Sequence, residues 1–199
     1  MRIGLFGGTF DPIHLAHLVL AEEARERLNL TYVLFMPTGD PWLKREKPKT
    51  AGEQRLRMVE LAVASNPFFF VSDMEVRRAG PTYTVDTLEA LRQNLNPSDE
   101  ICFLLGMDSL LDLPRWHEPG HVLEMCTPVA FRRPGATEQR LEAVKSEFPL
   151  LGDKLKLMDA PLLEISSTGI RQRVAQGRSI RYLVPEQVEG FIRESGLYR

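Results

Sequence analysis

Residues 4–17 read Gly-Leu-Phe-Gly-Gly-Thr-Phe-Asp-Pro-Ile-His-Leu-Ala-His and hold the densest potential chemistry in the chain. Two imidazoles, His14 and His17, stand three apart where a helix-like pattern begins, so they share one side of that helix. Ahead of them Gly7 and Gly8 break an apolar run that reads as a buried strand. A strand, a glycine turn and a helix start together offer free backbone N–H groups and the positive end of the helix dipole to an anion. The imidazoles add further donors. This pattern predicts a site for a nucleotide whose phosphate is about to react. Taken singly, the glycines are explained by a turn and each histidine by a cap or a surface position. Two of only four histidines directly behind a Gly-Gly turn favour the phosphate reading. A metal site needs more ligands than two histidines, and no nearby carboxylate has a zinc-like spacing.

A second group is Ile165-Ser166-Ser167-Thr168-Gly169-Ile170-Arg171. Three hydroxyl residues at a helix start are explained equally well by capping, but capping does not require Arg171. An arginine one turn into a helix suits bidentate binding of phosphate. A third group, Gly106-Met107-Asp108-Ser109, follows the apolar run Ile101–Leu105. There Asp108 can accept hydrogen bonds from ribose hydroxyls, or cap a helix, or do both. Trp116 and His117 lie between Pro114 and Pro119, where an aromatic serves as a core plug or a stacking platform. Tyr83-Thr84 precedes a helix whose free N–H groups can receive an anionic group. Lys44 follows the second strand and is within reach of a phosphate, although a solvated lysine is the commoner outcome.

The elements that must position these residues alternate. Apolar runs at Ile3–Phe6, Tyr32–Met36, Phe68–Ser72, Ile101–Leu105, Pro128–Phe131 and Lys156–Met158 read as strands. Amphipathic stretches at Leu15–Leu28, Gly52–Ala64, Val85–Leu95 and Thr137–Phe148 read as helices between them. In the first, Leu15, Leu18, Val19 and Leu28 form the apolar stripe, opposite Glu22, Glu23, Arg25 and Glu26. Such alternation predicts an α/β fold: a doubly wound, Rossmann-like parallel sheet with helices on both faces. Ligands then bind at the carboxyl ends of the strands near the topological switch point, for which the first strand is the natural candidate. No further strand is expected beyond Leu163. Helices from Ser166 or Ser167 to about Gln176 and over Glu186–Glu194 predict a small C-terminal helical lobe. The expectation is one domain, residues 1–199, made of a core at 1–163 and a lobe at 164–199. The Pro-rich stretch Pro37–Pro48 reads as a mobile loop.

Composition narrows the function. At 43% hydrophobic and 26% charged residues, the chain can bury an ordinary core. A net charge of −2 argues against general nucleic-acid binding, which needs a basic footprint. No apolar stretch is long enough to span a bilayer, and the N-terminus does not read as a signal peptide. Cys102 and Cys126 lie in apolar runs and read as two reduced, buried thiols, so a cytoplasmic location is expected. Neither Gly-x-Gly-x-x-Gly nor the P-loop pattern is present, which argues against a dehydrogenase fingerprint and a P-loop phosphotransferase.

The chain resembles the bacterial nicotinate-nucleotide adenylyltransferases of the His-x-x-His nucleotidyltransferase superfamily, nearly end to end. Gly7-Gly8-Thr9-Phe10-Asp11-Pro12-Ile13-His14-Leu15-Ala16-His17 matches the superfamily's first motif and Ile165 to Arg171 its second. Narrower features are Pro37-Thr38-Gly39, Tyr83 to Leu88, Gly106-Met107-Asp108-Ser109, Trp116, and the tail from Tyr182 to Tyr198. Ala16 departs from a common Gly, and Pro41-Trp42-Leu43-Lys44 departs from Pro-Pro-His-Lys.

The resemblance implies adenylyl transfer from ATP to nicotinate mononucleotide, giving nicotinate adenine dinucleotide and pyrophosphate on the way to NAD. It implies that His14, His17 and Arg171 hold the ATP phosphates, and that Gly7, Gly8, Thr9, Phe10, Ser166, Ser167 and Thr168 line the ATP site. Gly106 and Asp108 hold ribose. Trp116 stacks on the pyridine ring, backbone N–H groups at Thr84 and His117 meet the nicotinate carboxylate, Tyr83 belongs to the mononucleotide site, and Lys44 assists the mononucleotide phosphate. Mg²⁺ enters on the ATP phosphates, with no protein side chain expected as its ligand. Nicotinamide mononucleotide, both mononucleotides, or phosphopantetheine are rival substrates. A silent nucleotide-binding module and an HxxH metal hydrolase are rivals of another class. Self-association is left open.

Overall fold

The computed structural model describes residues 1–41, 50–132, 138–159 and 161–199. In chain order the elements are β1 (Arg2–Gly8), α1 (Leu15–Arg27), β2 (Tyr32–Pro37), β3 (Asp40–Pro41), α2 (Gly52–Val63), β4 (Phe69–Val71), α3 (Met74–Arg77), β5 (Pro81–Thr82) and α4 (Thr84–Arg92). There follow β6 (Glu100–Gly106), α5 (Met107–Leu111), a 3₁₀ turn at Leu113–Arg115, α6 (Pro119–Met125), β7 (Thr127–Phe131), α7 (Glu138–Glu147), α8 (Pro149–Lys154), β8 (Lys156–Met158), α9 (Ser167–Ala175) and α10 (Glu186–Glu194).

Six strands form one sheet in the order β4-β2-β1-β6-β7-β8, and every neighbouring pair is parallel. The chain winds outward from β1 in one direction through β2 and β4, then returns to the other side of β1 with β6. The switch point therefore lies between β1 and β6, as the first motif predicts. β3 and β5 make a separate two-residue parallel pair, too short to show as strands in the sequence.

Alternation along the strands fills a layer on each face. In β6, Cys102 and Leu104 face one core, while Ile101, Phe103 and Leu105 face the other. The first core holds Phe6, Phe35 and Phe131 against α1, α2, α9 and α10. The second holds Leu5, Met36 and Phe103 against α4, α5, α6, α7 and α8. Cys102 and Cys126 are buried in different layers, both as free thiols. Burial pushes the Cys126 thiol up to about 12 and keeps it protonated and inert.

Two details correct the sequence reading. In α1 the fully covered positions are Ala16, Ala21 and Ala24, with Leu18 and Leu28 only partly covered beside them. Small residues let this helix sit close on the sheet, so the bulky stripe marks its flank. The four short helices α3, α5, α6 and α8, of four to seven residues, were not expected; they are shorter than two turns and carry no readable period. Residues 164–199 hold α9, α10 and one isolated bridge, Arg181 to Val184. Ile170, Ile180, Val184, Val188 and Ile192 from this stretch share the first core with β1 and β2. Among the described residues no helix is long and apolar enough to cross a membrane.

Candidate active site

The site begins where β1 ends. Gly8 is the last residue paired to β2, and its carbonyl accepts from the N–H of Thr38, which ties the two strand ends together. Only glycine fits at position 8, because a Cβ there would lie 2.9 Å from the Phe10 ring. Phe10 takes a left-handed conformation (φ 50°) and turns its ring into the core, where it meets Phe6 and Phe35. At 3% exposure its side chain supports the site from beneath. The chain then passes a cis Asp11–Pro12 peptide and enters α1 with His14 as the N-cap.

The histidines form a stacked pair, with ring centroids 3.7 Å apart and planes 21° from parallel. The His17 ring also meets the ring of Phe10 edge-on at 5.1 Å. The N–H of His14 donates to Nδ1 of His17 at 3.2 Å. That bond sets the tautomer: Nδ1 is an acceptor, so the proton of the neutral ring sits on Nε2. The main chain thus presents His17 as an Nε2–H donor.

The second motif is bolted to the first. Ser166 caps α9 by accepting from the Gly169 N–H, while the Ser167 hydroxyl donates to the carbonyl of Pro12 at 2.8 Å. Arg171 Nη1 donates to the carbonyl of Asp11 at 2.7 Å, and Nη2 to the Thr168 hydroxyl at 3.2 Å. Residues 155 to 160 positions apart in sequence thereby meet at Asp11-Pro12. A start of α1 is also held by the tail, through the N–H of Leu15 and the carbonyl of Leu183.

On the other side of the Gly8-Thr9 turn opens a cavity of about 240 Å³. Gly7, Gly8, Thr9, Phe103, Gly106, Trp116 and His117 are among the residues that line it. Thr84 lines it from the first turn of α4. Trp116 packs edge-on against Phe103 at 5.8 Å, so its ring is braced on one side by the core. His117 lies against Tyr83, with ring centroids 4.4 Å apart. The structure thus gathers Gly7, Gly8, Thr9, Thr84, Gly106, Trp116 and His117 around one space.

Some expected residues stand elsewhere. Asp108 is exposed in the first turn of α5 and does not line the cavity. It does not cap that helix either; Gly106 is the N-cap, and Ser109 and Asp112 face the space instead. Lys44 lies outside the described residues.

Several residues that the sequence reading passed over hold the site from behind. Asp11 is 4% exposed, and its Oδ1 accepts the hydroxyl of Tyr198 at 2.7 Å. Burial and that carboxylate raise the Tyr198 hydroxyl well above the ordinary phenol range, so it stays a donor. Arg55 is 1% exposed and donates to three carbonyls of the turns around the site. Glu75 is 7% exposed beneath the cavity and accepts the Thr87 hydroxyl at 2.8 Å. Burial pushes its carboxyl up to about 7; the Thr87 bond, Arg78 and Arg55 oppose that shift and Asp86 adds to it. Asp11 and Tyr198 lie in the motif and the tail that carry the resemblance, whereas Arg55, among Arg57 and Glu60, and Glu75, among Asp73, Arg77 and Arg78, gave no signal in the sequence.

Comparison with known proteins gives the family and the fold. The cytidylyltransferase-like family pattern matches residues 5–173. A Thermomicrobium roseum protein named "Probable nicotinate-nucleotide adenylyltransferase" is 47% identical over 198 residues, covering 100% of this chain and 92% of its own. A Dehalococcoides mccartyi protein of the same name is 41% identical over 198 residues, covering 100% and 97%. The solved structure of Plasmodium falciparum nicotinic acid mononucleotide adenylyltransferase complexed with NaAD superposes with a TM-score of 0.79 at 22% identity, over 99% of this chain and 97% of that one. At that identity the superposition speaks for the fold, and the sequence relatives speak for the family. Matched along its whole length, this chain belongs to the nicotinate-nucleotide adenylyltransferases within the cytidylyltransferase-like nucleotidyltransferases.

Proposed function

We propose that this chain joins ATP and nicotinate mononucleotide, forming nicotinate adenine dinucleotide and releasing pyrophosphate, a step in NAD biosynthesis. The observation that carries the reading is the Gly8-Thr9 turn: a His pair and an anchored arginine lie on its α1 and α9 side, and an aromatic-rimmed cavity lies on the other. ATP and the mononucleotide then meet across that turn. The mononucleotide phosphate attacks the α-phosphorus of ATP, the bond to the β-phosphate oxygen breaks, and pyrophosphate leaves with the electron pair. No protein nucleophile is needed; positioning and charge stabilisation suffice for such a transfer.

In this reading His17 offers its Nε2–H to the α-phosphate, His14 supports it from the stacked ring, and Arg171 meets the β- and γ-phosphates where charge accumulates. Gly7, Gly8, Thr9, Ser166, Ser167 and Thr168 present the main-chain and hydroxyl donors around them. Gly106, with Asp108 in the exposed first turn of α5 just outside the cavity, takes ribose. Trp116 stacks on the pyridine ring, backbone N–H groups at Thr84 and His117 receive its carboxylate, and Tyr83 supports His117 from behind. Glu75, protonated below about 7, places no full negative charge under that carboxylate. Lys44 would assist at the mononucleotide phosphate.

A divalent metal, in our reading Mg²⁺, accompanies ATP in this family's chemistry and would neutralise charge on the phosphates. Among the described residues no three His, Cys, Asp or Glu side chains are grouped to hold a metal, and the Asp11 carboxylate already accepts from Tyr198. In this reading the metal would be held through the ATP phosphates and water. The location that fits a reaction among soluble nucleotides is the cytoplasm.

The test is pyrophosphate release with ATP and Mg²⁺, run in parallel on nicotinate mononucleotide, nicotinamide mononucleotide and phosphopantetheine. A preference in kcat/KM of about 10-fold or more for the nicotinate form, about 1.4 kcal/mol, is expected. Equal use of both mononucleotides would keep the chemistry and remove the specificity. Silence with all three would leave a nucleotide-binding module.

A further inference from the structure

Arg55 is a buried charge without an ion pair among the described residues, and it lies in none of the motifs. Each of its three guanidinium nitrogens donates to the main chain of a different segment. Nη1 reaches the carbonyl of Thr9 at 2.8 Å, Nη2 that of Gly39 at 3.1 Å, and Nε that of Thr50 at 3.2 Å. Thr9 belongs to the turn that separates the two proposed substrate sites. Gly39 ends the Pro37-Thr38-Gly39 turn on the cavity side. Burying a cation this way is unfavourable, and a methionine or leucine would pack α2 against its neighbours at less expense. What an apolar residue cannot supply is the three-way tie.

The tie is directional. Gly39 is jammed from its other side, since a Cβ there would lie 2.1 Å from the carbonyl oxygen of Glu75. The Gly39 turn is thus fixed against α3, and Arg55 transmits that position to Thr9. We infer that Arg55 is a positioning residue for adenylyl transfer, setting the distance between the ATP side of the Gly8-Thr9 turn and the mononucleotide side. This rests on the function proposed above. In-line attack across the turn tolerates little error, and a misplacement near 1 Å lowers rate by about 10²-fold. Each substrate, bound alone, makes its contacts on its own side and is indifferent to that distance.

The test compares Arg55→Lys and Arg55→Met with the parent chain in three readouts: thermal midpoint, Kd of each substrate measured separately by calorimetry (an unreactive ATP analogue for ATP), and kcat. Both variants are expected to fold. Both Kd values stay within about 3-fold, because the individual sites persist, while kcat falls by about 10²-fold in each variant. Lysine fails to rescue because a single ammonium cannot span three carbonyls held by a planar fork. Full activity in Arg55→Lys with loss only in Arg55→Met would reduce the role to charge and overturn the proposal. So would unchanged kcat in Arg55→Met, a loss confined to the Kd of one substrate, or failure of both variants to fold. A parent chain inactive with every mononucleotide would overturn the proposed function and this inference together. An active parent with unaffected variants overturns this inference alone.

Discussion

Replacing Glu75 with glutamine should stabilise the protein at alkaline pH and leave it nearly unchanged in acid. Glu75 is buried beneath the cavity, and burial displaces its carboxyl from 4.5 to about 7. A raised carboxyl pKa means that the folded chain holds a proton which the unfolded chain has released between those values. Stability is therefore greatest below about 4.5 and falls as pH rises to about 7, where the full penalty for the buried carboxylate is reached. The displacement corresponds to about 3 kcal/mol. Glutamine keeps the shape and the acceptor for the Thr87 hydroxyl but cannot ionise. At pH 8 the variant should exceed the parent by about 3 kcal/mol, and at pH 5 by a little less than about 1 kcal/mol. Urea unfolding followed by circular dichroism at pH 5, 6, 7 and 8 reads this directly, because the midpoint moves while the slope stays constant. A stability difference that does not change with pH, or a variant less stable than the parent at pH 8, would refute the argument. The same ionisation places a negative charge against the proposed nicotinate pocket. KM for nicotinate mononucleotide should rise above pH 7 in the parent and stay flat in the variant.

Three further substitutions probe the site from different sides. His17→Ala removes the Nε2–H donor and should lower kcat by about 10²-fold with a small change in ATP affinity; steady-state kinetics showing unchanged kcat would remove His17 from the mechanism. Trp116→Ala takes away a ring braced on Phe103 and should raise KM for the mononucleotide by about 10-fold while sparing ATP, and a defect confined to ATP would place Trp116 elsewhere. Tyr198→Phe deletes the donor to Asp11 and removes one hydrogen bond from a buried carboxylate. It should destabilise by about 1–3 kcal/mol, seen as a lower thermal midpoint, and an unchanged midpoint would mean the tail does not brace the turn.

The parallel sheet was legible because its strands, three to seven residues long, are largely apolar and alternate with helical stretches of the chain. The short helix α3 was not, and with it went Glu75, because four residues show no periodicity. The helix α6 opens at Pro119, so a proline that reads as a loop boundary is a helix start. Asp108 stands exposed in the first turn of α5, while Asp112, just past the end of that helix, lines the cavity, a difference of register that no single residue type announces.

By itself the sequence determined the local chemistry: two glycines after an apolar run, two histidines three apart at a helix start, and an arginine one turn into a capped helix. These signals are local because their physics is local, set by helix period and capping. Only the tertiary structure decided that Ser167 and Arg171 meet Asp11-Pro12, that Tyr198 closes on Asp11 from 187 residues away, and that Arg55 reaches Thr9 across 46. Those contacts depend on which segments the sheet order brings together and on which polar groups burial strips of water. Neither quantity is carried by any short stretch of residues.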